Sequence, residues 1–184
     1  MVALTETRMP IEHDFEDIYR THHRRVFHLC RYLLNSPDAA EDAAHEVFLR
    51  AQSRISQYDE SLPLSSWLSG IASNYCIDML RRRNTEKRLF EDESSEMLEP
   101  ASVAPGPLVN LLSAEQSRNA RTALSALPNK YRVPLVLAYF NELNYDEIAS
   151  ILGVSRNQVA TLIFRGKQQL REKLMKEKYR ALSH

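Results

Sequence analysis

Apolar side chains recur at three-and-four spacing along most of the chain, a period that predicts helices rather than strands. Three helices fit residues 13 to 86. The first carries Phe15, Ile18, Tyr19, His22, Val26, Leu29, Cys30, Leu33 and Leu34 on one stripe, and Asn35-Ser36-Pro37 ends it. Ser36 suits an N-cap and Pro37 the first helical position, while Asp38, Glu41 and Asp42 complement the positive end of the helix dipole. The second helix buries Ala40, Ala43, Ala44, Val47, Phe48, Ala51 and Ile55. A turn from Tyr58 to Pro63 leads to the third, with an apolar face of Leu64, Trp67, Leu68, Ile71, Ala72, Tyr75 and Met79. It closes on Arg81-Arg82-Arg83, which also complement the dipole at a helix C-terminus.

From about Glu91 to Pro107 the periodicity gives way to an acidic, Ser/Pro-rich stretch with Pro100, Pro105 and Pro107, the composition of a flexible linker. The pattern resumes near Leu108, with helices to Leu127, from Asn129 to Phe140, from Tyr145 to Leu152 and from Arg156 to about Lys178. Pro134 is tolerated only in the first turn or two of its helix. The expected fold is therefore all-α: two small helical domains over residues 12–90 and 111–178, joined by a flexible linker at 91–110. Four glycines and 43% hydrophobic residues suit a helical, core-forming chain.

A formal net charge of zero argues against coating nucleic acid by bulk charge, but the average conceals blocks. Residues 11 to 60 are acidic, 81 to 88 basic, 91 to 99 acidic again, and the last third basic. Cys30 and Cys76 lie in apolar helical patterns with no C-x-x-C and no His at zinc-like spacing, so buried free thiols are expected. No signal-peptide core occurs at the start, and no apolar run approaches the roughly 20 residues that span a bilayer. The expectation is a cytoplasmic protein without membrane insertion, cofactor or metal.

Asn144 with Glu147 and Ser155 with Gln158 form two capping boxes, and between them Gly153 supplies a left-handed turn cheaply. Ala149 is small where the two helices cross, above Ile148, Leu152, Val154, Val159 and Leu162. These features describe a helix-turn-helix. In such a unit the N-terminal residues of the second helix face base edges, here Arg156, Asn157, Gln158 and Thr161. Arg suits guanine and Asn or Gln suits adenine, each good bidentate pair giving about 1–3 kcal/mol of discrimination. Arg165, Lys167 and Arg171 lie further along, suited to phosphates.

Both halves together resemble one family, the extracytoplasmic-function (ECF) sigma factors of bacterial RNA polymerase. The run Asp38 to Ala51 is similar to the part of region two that docks on the β′ clamp helices of the polymerase. Ser66 to Arg83 is similar to the helix that recognises and melts the minus-ten promoter element, and Ala126-Leu127-Pro128 with Tyr145 to Leu174 to region four, which binds the minus-35 element. The resemblance implies a polymerase-binding face of Asp38, Glu41, Asp42, Glu46 and Phe48, and a minus-ten site of Tyr58, Asn74, Arg81, Arg82 and Arg83. It implies core RNA polymerase, through its β′ clamp helices and β flap, and promoter DNA as partners, with an anti-sigma factor as a further one. Members commonly carry Gln where His45 stands, Arg where Ser73 stands, and Lys and Arg where Ala160 and Leu162 stand.

An enzyme is the first rival reading. His45-Glu46 opens a zinc-protease pattern, but Leu49 stands where the second His is required. His22-His23 lacks a completing ligand, and no phosphate-binding Gly loop or nucleophile elbow occurs. A stand-alone helix-turn-helix regulator is the second rival, and it leaves the first domain without a task.

Overall fold

A computed structural model describes residues 15–61, 63–83, 90 and 114–182, and every regular element among them is helical. Helix α1 spans Phe15–Leu34, α2 Pro37–Arg54 and α3 Leu64–Arg83; a 3₁₀ turn, Ile55–Gln57, extends α2. Helices α4 (Ala114–Ser125), α5 (Asn129–Tyr139), α6 (Tyr145–Leu152) and α7 (Arg156–Leu182) follow. The expected linker at 91–110, the helix start near Leu108 and the basic pair at 87–88 lie outside the described residues.

Alanines shape the first domain. Ala40, Ala43, Ala44 and Ala51 of α2 are fully buried, so α2 packs closely against Val26, Leu29, Cys30 and Leu33 of α1. Ser36 caps α2 as expected, its Oγ accepting from the Ala39 amide at 3.3 Å. The third helix differs from its expected face. Its deepest positions are Leu68, Ser69, Ala72, Ser73, Cys76, Ile77 and Leu80, whereas Trp67, Ile71, Tyr75 and Met79 are only half-buried. Serines at 69 and 73 weaken the apolar signal of that seam, yet Ser73 buries at little cost because its hydroxyl donates to the Ser69 carbonyl at 2.7 Å. Cys30 and Cys76 are free, buried thiols in mutual hydrogen-bond contact, and that contact with burial pushes the Cys76 thiol well above its usual range.

In the second domain α5 is the central element, buried continuously from Tyr131 to Leu137 and packed on α7, α6 and, across the domain boundary, α1. Pro134 falls in its second turn, where it was expected to be tolerated. Gly166 of α7 lets that helix approach α5: a Cβ there would meet Leu135 at 3.0 Å and Tyr131 at 3.3 Å. Ile148, Leu152, Val159, Leu162 and Ile163 fill the space beneath the two shorter crossings.

The two domains touch directly, along α1 with α5 and α3 with α6. Most of the polar bonds across this contact share a pattern, in which side-chain donors reach the unsatisfied carbonyls at helix C-termini; the bond from Asn141 to the Ser73 hydroxyl at 2.9 Å is different. Arg132 of α5 donates to Tyr32 O at 3.1 Å and Leu33 O at 3.2 Å, at the end of α1. Arg25 of α1 donates to Phe140 O at 3.3 Å, at the end of α5, and its guanidinium lies over the Phe140 ring. Arg81 of α3 donates to Leu152 O at 2.9 Å, at the end of α6. Asn35, held at φ 54°, donates to Ser125 O at 2.9 Å, at the end of α4. A cation at a helix C-terminus contributes about 0.3–1 kcal/mol when exposed and up to ~2 kcal/mol when partly buried.

Candidate nucleic-acid and polymerase interfaces

The helix-turn-helix is built by its caps. Asn144 Oδ1 accepts from the Asp146 and Glu147 amides at 3.0 Å each, and Glu147 returns by accepting from the Asn144 amide at 2.7 Å. Gly153 then takes φ 66°, ψ 35°, the left-handed conformation that ends α6. Two residues later Ser155 Oγ accepts from the Gln158 amide at 3.2 Å while Gln158 Oε1 accepts from the Ser155 amide at 2.8 Å, so α7 starts on a second capping box.

That second box changes the expected role of one residue. Gln158 spends its side-chain carbonyl on the Ser155 amide, so the bidentate acceptor-and-donor pair that adenine needs is not available from it in this geometry. Arg156 and Asn157 remain exposed at the mouth of α7. Arg156 pairs with Asp146 at 3.4 Å, both side chains more than half exposed, a contact weak enough to give up to DNA. Thr161 is half-buried and donates to the Asn157 carbonyl at 3.0 Å. Lys167 lies over the Tyr139 ring at 5.0 Å and Arg165 is half-buried. Leu162 is fully buried, so a polar side chain there would disturb the core rather than reach a phosphate.

In the first domain Asp38, Glu41 and Asp42 are exposed on the first turns of α2. Glu46 is tied to Arg50 at 2.8 Å, and Arg50 also lies over the Tyr75 ring at 4.5 Å. Phe48 requires a correction. Expected on the docking face, it is only 3% exposed, because the aromatic rings of Phe15, Tyr19 and His23 close over it at centroid distances of 4.8–6.4 Å. It supports that end of α2 from within, and the neighbouring Leu49, half exposed, is the apolar side chain that reaches the surface.

Around the loop before α3, Tyr58 packs on Trp67 with centroids 5.2 Å apart. Asp59 Oδ1 accepts from the Ser61 amide at 2.9 Å, and hydrogen bonds from Ser61 hold this carboxyl below its usual range. The loop is thereby turned locally beside an aromatic pair, while Asn74 is exposed about two turns beyond Trp67 on α3. Trp67 was legible only as a core residue; its pairing with Tyr58 depends on the loop folding back. Arg82 and Arg83 are exposed. Arg81 is not available in the same way, because its guanidinium is bonded to the end of α6.

The residue with the least warning in the sequence is Arg132. It is 3% exposed, and burial pulls its pKa from the usual arginine range to about 10, so it is charged at neutral pH. Its hydrogen bonds go to neutral oxygens: Tyr32 O, Leu33 O, Leu127 O and Asn129 Oδ1. The only sequence signal is an arginine set in the otherwise apolar run Tyr131 to Tyr139.

Comparison with known proteins bears on both domains. The Sigma-70 region 2 family model matches residues 18–86, and the Sigma-70 region 4 model matches residues 117–170. The ECF RNA polymerase sigma factor SigW of Bacillus subtilis is 36% identical over 166 residues, which cover 88% of this chain and 87% of SigW. The ECF sigma factor SigE of Mycolicibacterium smegmatis is 32% identical over 162 residues, 88% of this chain and 62% of SigE. Among solved structures, the sigma factor RpoE in its complex with the anti-sigma factor NepR from Bartonella quintana has the same fold. The TM-score is 0.59 at 21% identity, over 88% of this chain and 97% of that one. With two region-specific matches in the expected order and a relative this similar along most of both chains, the protein belongs to the ECF RNA polymerase sigma factors of the sigma-70 family.

Proposed function

We propose that the chain binds core RNA polymerase through its first domain and directs it to a bipartite promoter, each domain taking one element. The observation that carries this reading is the doubly capped turn that presents Arg156 and Asn157 at the start of α7, on a chain whose other domain ends α3 in Arg81, Arg82 and Arg83. Arg156 and Asn157 contact base edges of the minus-35 element, with Arg165 and Lys167 on its phosphates. Thr161 and Gln158 fix the helix end that holds them. Arg82 and Arg83 follow the backbone near the minus-ten element. Tyr58, beside Trp67, and Asn74 receive an unstacked base of the opened strand.

The polymerase contact is electrostatic at its edge. Asp38, Glu41, Asp42 and Glu46 face a basic surface on the β′ clamp helices, Leu49 adds apolar area, and the second domain contacts the β flap. The protein works by binding alone, in the cytoplasm, without a cofactor. An anti-sigma factor is a further partner, and RpoE with NepR is a precedent among proteins of this fold. A stand-alone regulator remains less favoured, since it leaves the first domain idle.

Reconstituted run-off transcription with core polymerase tests the mapping. Arg82→Glu and Arg165→Glu should each lower the transcript, and each lost phosphate contact should reduce the log-log salt slope by about 0.9. Undiminished transcription from both variants contradicts the assignment of these arginines.

A further inference from the structure

We propose that the cavity lined by Arg31, Arg121 and Arg132 is an anion-binding site that takes one phosphate-class oxyanion, either inorganic phosphate or the terminal phosphate of a nucleotide. It stands apart from the promoter and polymerase contacts assigned above and does not depend on them.

The cavity lies where the end of α1, the end of α4 and the first turn of α5 meet. Arg31 and Asn35 line it from α1, Arg121, Thr122 and Ser125 from α4, and Arg132 from α5. Its volume is about 170 Å³. A single water needs roughly 15 Å³ of such space, so a polyatomic anion fits. Arginine suits that occupant, because its planar fork of donors matches phosphate oxygens and stays charged at neutral pH.

Charge decides what the cavity can hold. Three guanidinium groups line it, and among the described residues no carboxylate does. Arg132 is 3% exposed, and its bonds go to neutral oxygens only. The C-terminal end of α1 receives two of those bonds, and α4 ends two residues before Leu127, which receives a third. Each such helix end carries about half a negative charge, so the two together offset roughly one of the three positive charges. The other two have no counterpart, since among the described residues neither Arg31 nor Arg121 makes an ion pair. Cations gathered around a buried one are costly unless an anion joins them.

A donor is also in place. Arg132 engages Nε with Tyr32 O, Nη1 with Leu127 O, and Nη2 with both Leu33 O and Asn129 Oδ1. Of the five N–H groups of a guanidinium this leaves one, on Nη1. His28, one turn before Arg31, senses the same field: burial, then Arg121 and Arg24, hold its pKa below the ordinary value.

The test titrates inorganic phosphate into the full chain by calorimetry and by NMR of His28, with sodium chloride at matched ionic strength as the control for screening. Arg31→Gln and Arg121→Gln each remove one guanidinium; the first side chain is half-buried, the second exposed, and neither belongs to a proposed DNA or polymerase contact. Arg132 stays in place, because its bonds hold three segments together. Arg31→Lys keeps the charge without the fork, and circular dichroism verifies that every variant is folded.

The wild type should bind one phosphate per chain, and the His28 pKa should rise as the anion offsets Arg121. Each glutamine variant should weaken phosphate binding about tenfold or more, the loss of a hydrogen bond to a charged group, and Arg31→Lys should weaken it less. Adenosine triphosphate bound more tightly than phosphate assigns the site to a nucleotide, and bound no more tightly assigns it to the free anion. Either a titration without saturation below ~10 mM phosphate or a His28 pKa that does not move overturns the site. Full-strength binding by both glutamine variants overturns it as well, since the anion then sits elsewhere.

Discussion

Replacing Gly153 by alanine isolates the turn on which the recognition helix depends. Gly153 sits at φ 66°, and a Cβ built there meets only Arg81 Nη2, at an ordinary 3.6 Å. Sterics against neighbours therefore contribute almost nothing, and the cost is the left-handed backbone itself, about 1–2 kcal/mol for an L residue. Against this stands a gain of ~0.4–1 kcal/mol, because alanine restricts the unfolded chain. The net loss is about 1 kcal/mol, which lowers Tm by roughly 2–4 °C for a chain of this size. Gly153→Asn should lose less, since asparagine tolerates this region better than other side chains. Thermal and urea unfolding followed by circular dichroism give the stability order Gly, Asn, Ala. Hydrogen exchange at the Val154 amide, which bonds to the Ala149 carbonyl at 3.1 Å, reports the turn directly. If alanine matched wild type in both stability and Val154 protection, the left-handed cap would be the wrong account of how α6 ends.

Three further outcomes follow from the same geometry. Asn144→Ala removes the acceptor for two amides at the start of an eight-residue helix and should cost about 1 kcal/mol in urea unfolding, whereas Asn144→Asp should be near neutral; equal losses from both would mean the cap contributes nothing. Cys30 and Cys76 should resist an aromatic disulfide reagent in the native protein and react together once urea unfolds the first domain, so prompt native labelling would contradict their burial. Burial, then Arg121 from the second domain and Arg24 from α1, holds the His28 pKa below its ordinary value near ~6.5. The unfolded chain then binds the proton more readily than the folded one, so this stability is complete above about pH 6.5 and falls as pH drops below it. Arg121→Ala should raise the His28 value in an NMR titration, and an unchanged titration would remove Arg121 as a cause.

Among the described residues, the seven α-helices and the helix-turn-helix were legible in the chain because each signal is short-ranged. Ser36-Pro37, Asn144 with Glu147, Gly153, and Ser155 with Gln158 each act within four residues, and apolar periods within a helix need only its own axis. Side-chain roles that depend on a second element were read less well. Phe48 looked like part of a docking face until the α1 aromatics closed over it, and Arg81 looked like a free cation of the α3 end until α6 packed beside it.

Hydrophobic period and capping chemistry by themselves determined the all-helical class, the order of the elements and the turn that projects α7. Tertiary structure alone decided which seam of α3 lies deepest, that Arg132 is buried, and that Arg25 and Arg81 cap helices of the opposite domain. Those arginines meet carbonyls 115, 71 and 99 positions away, for Arg25, Arg81 and Arg132 in turn. A charged side chain at a helix surface has the same local pattern whether it faces solvent or another helix's carbonyl end, so only the packing of the two domains tells them apart.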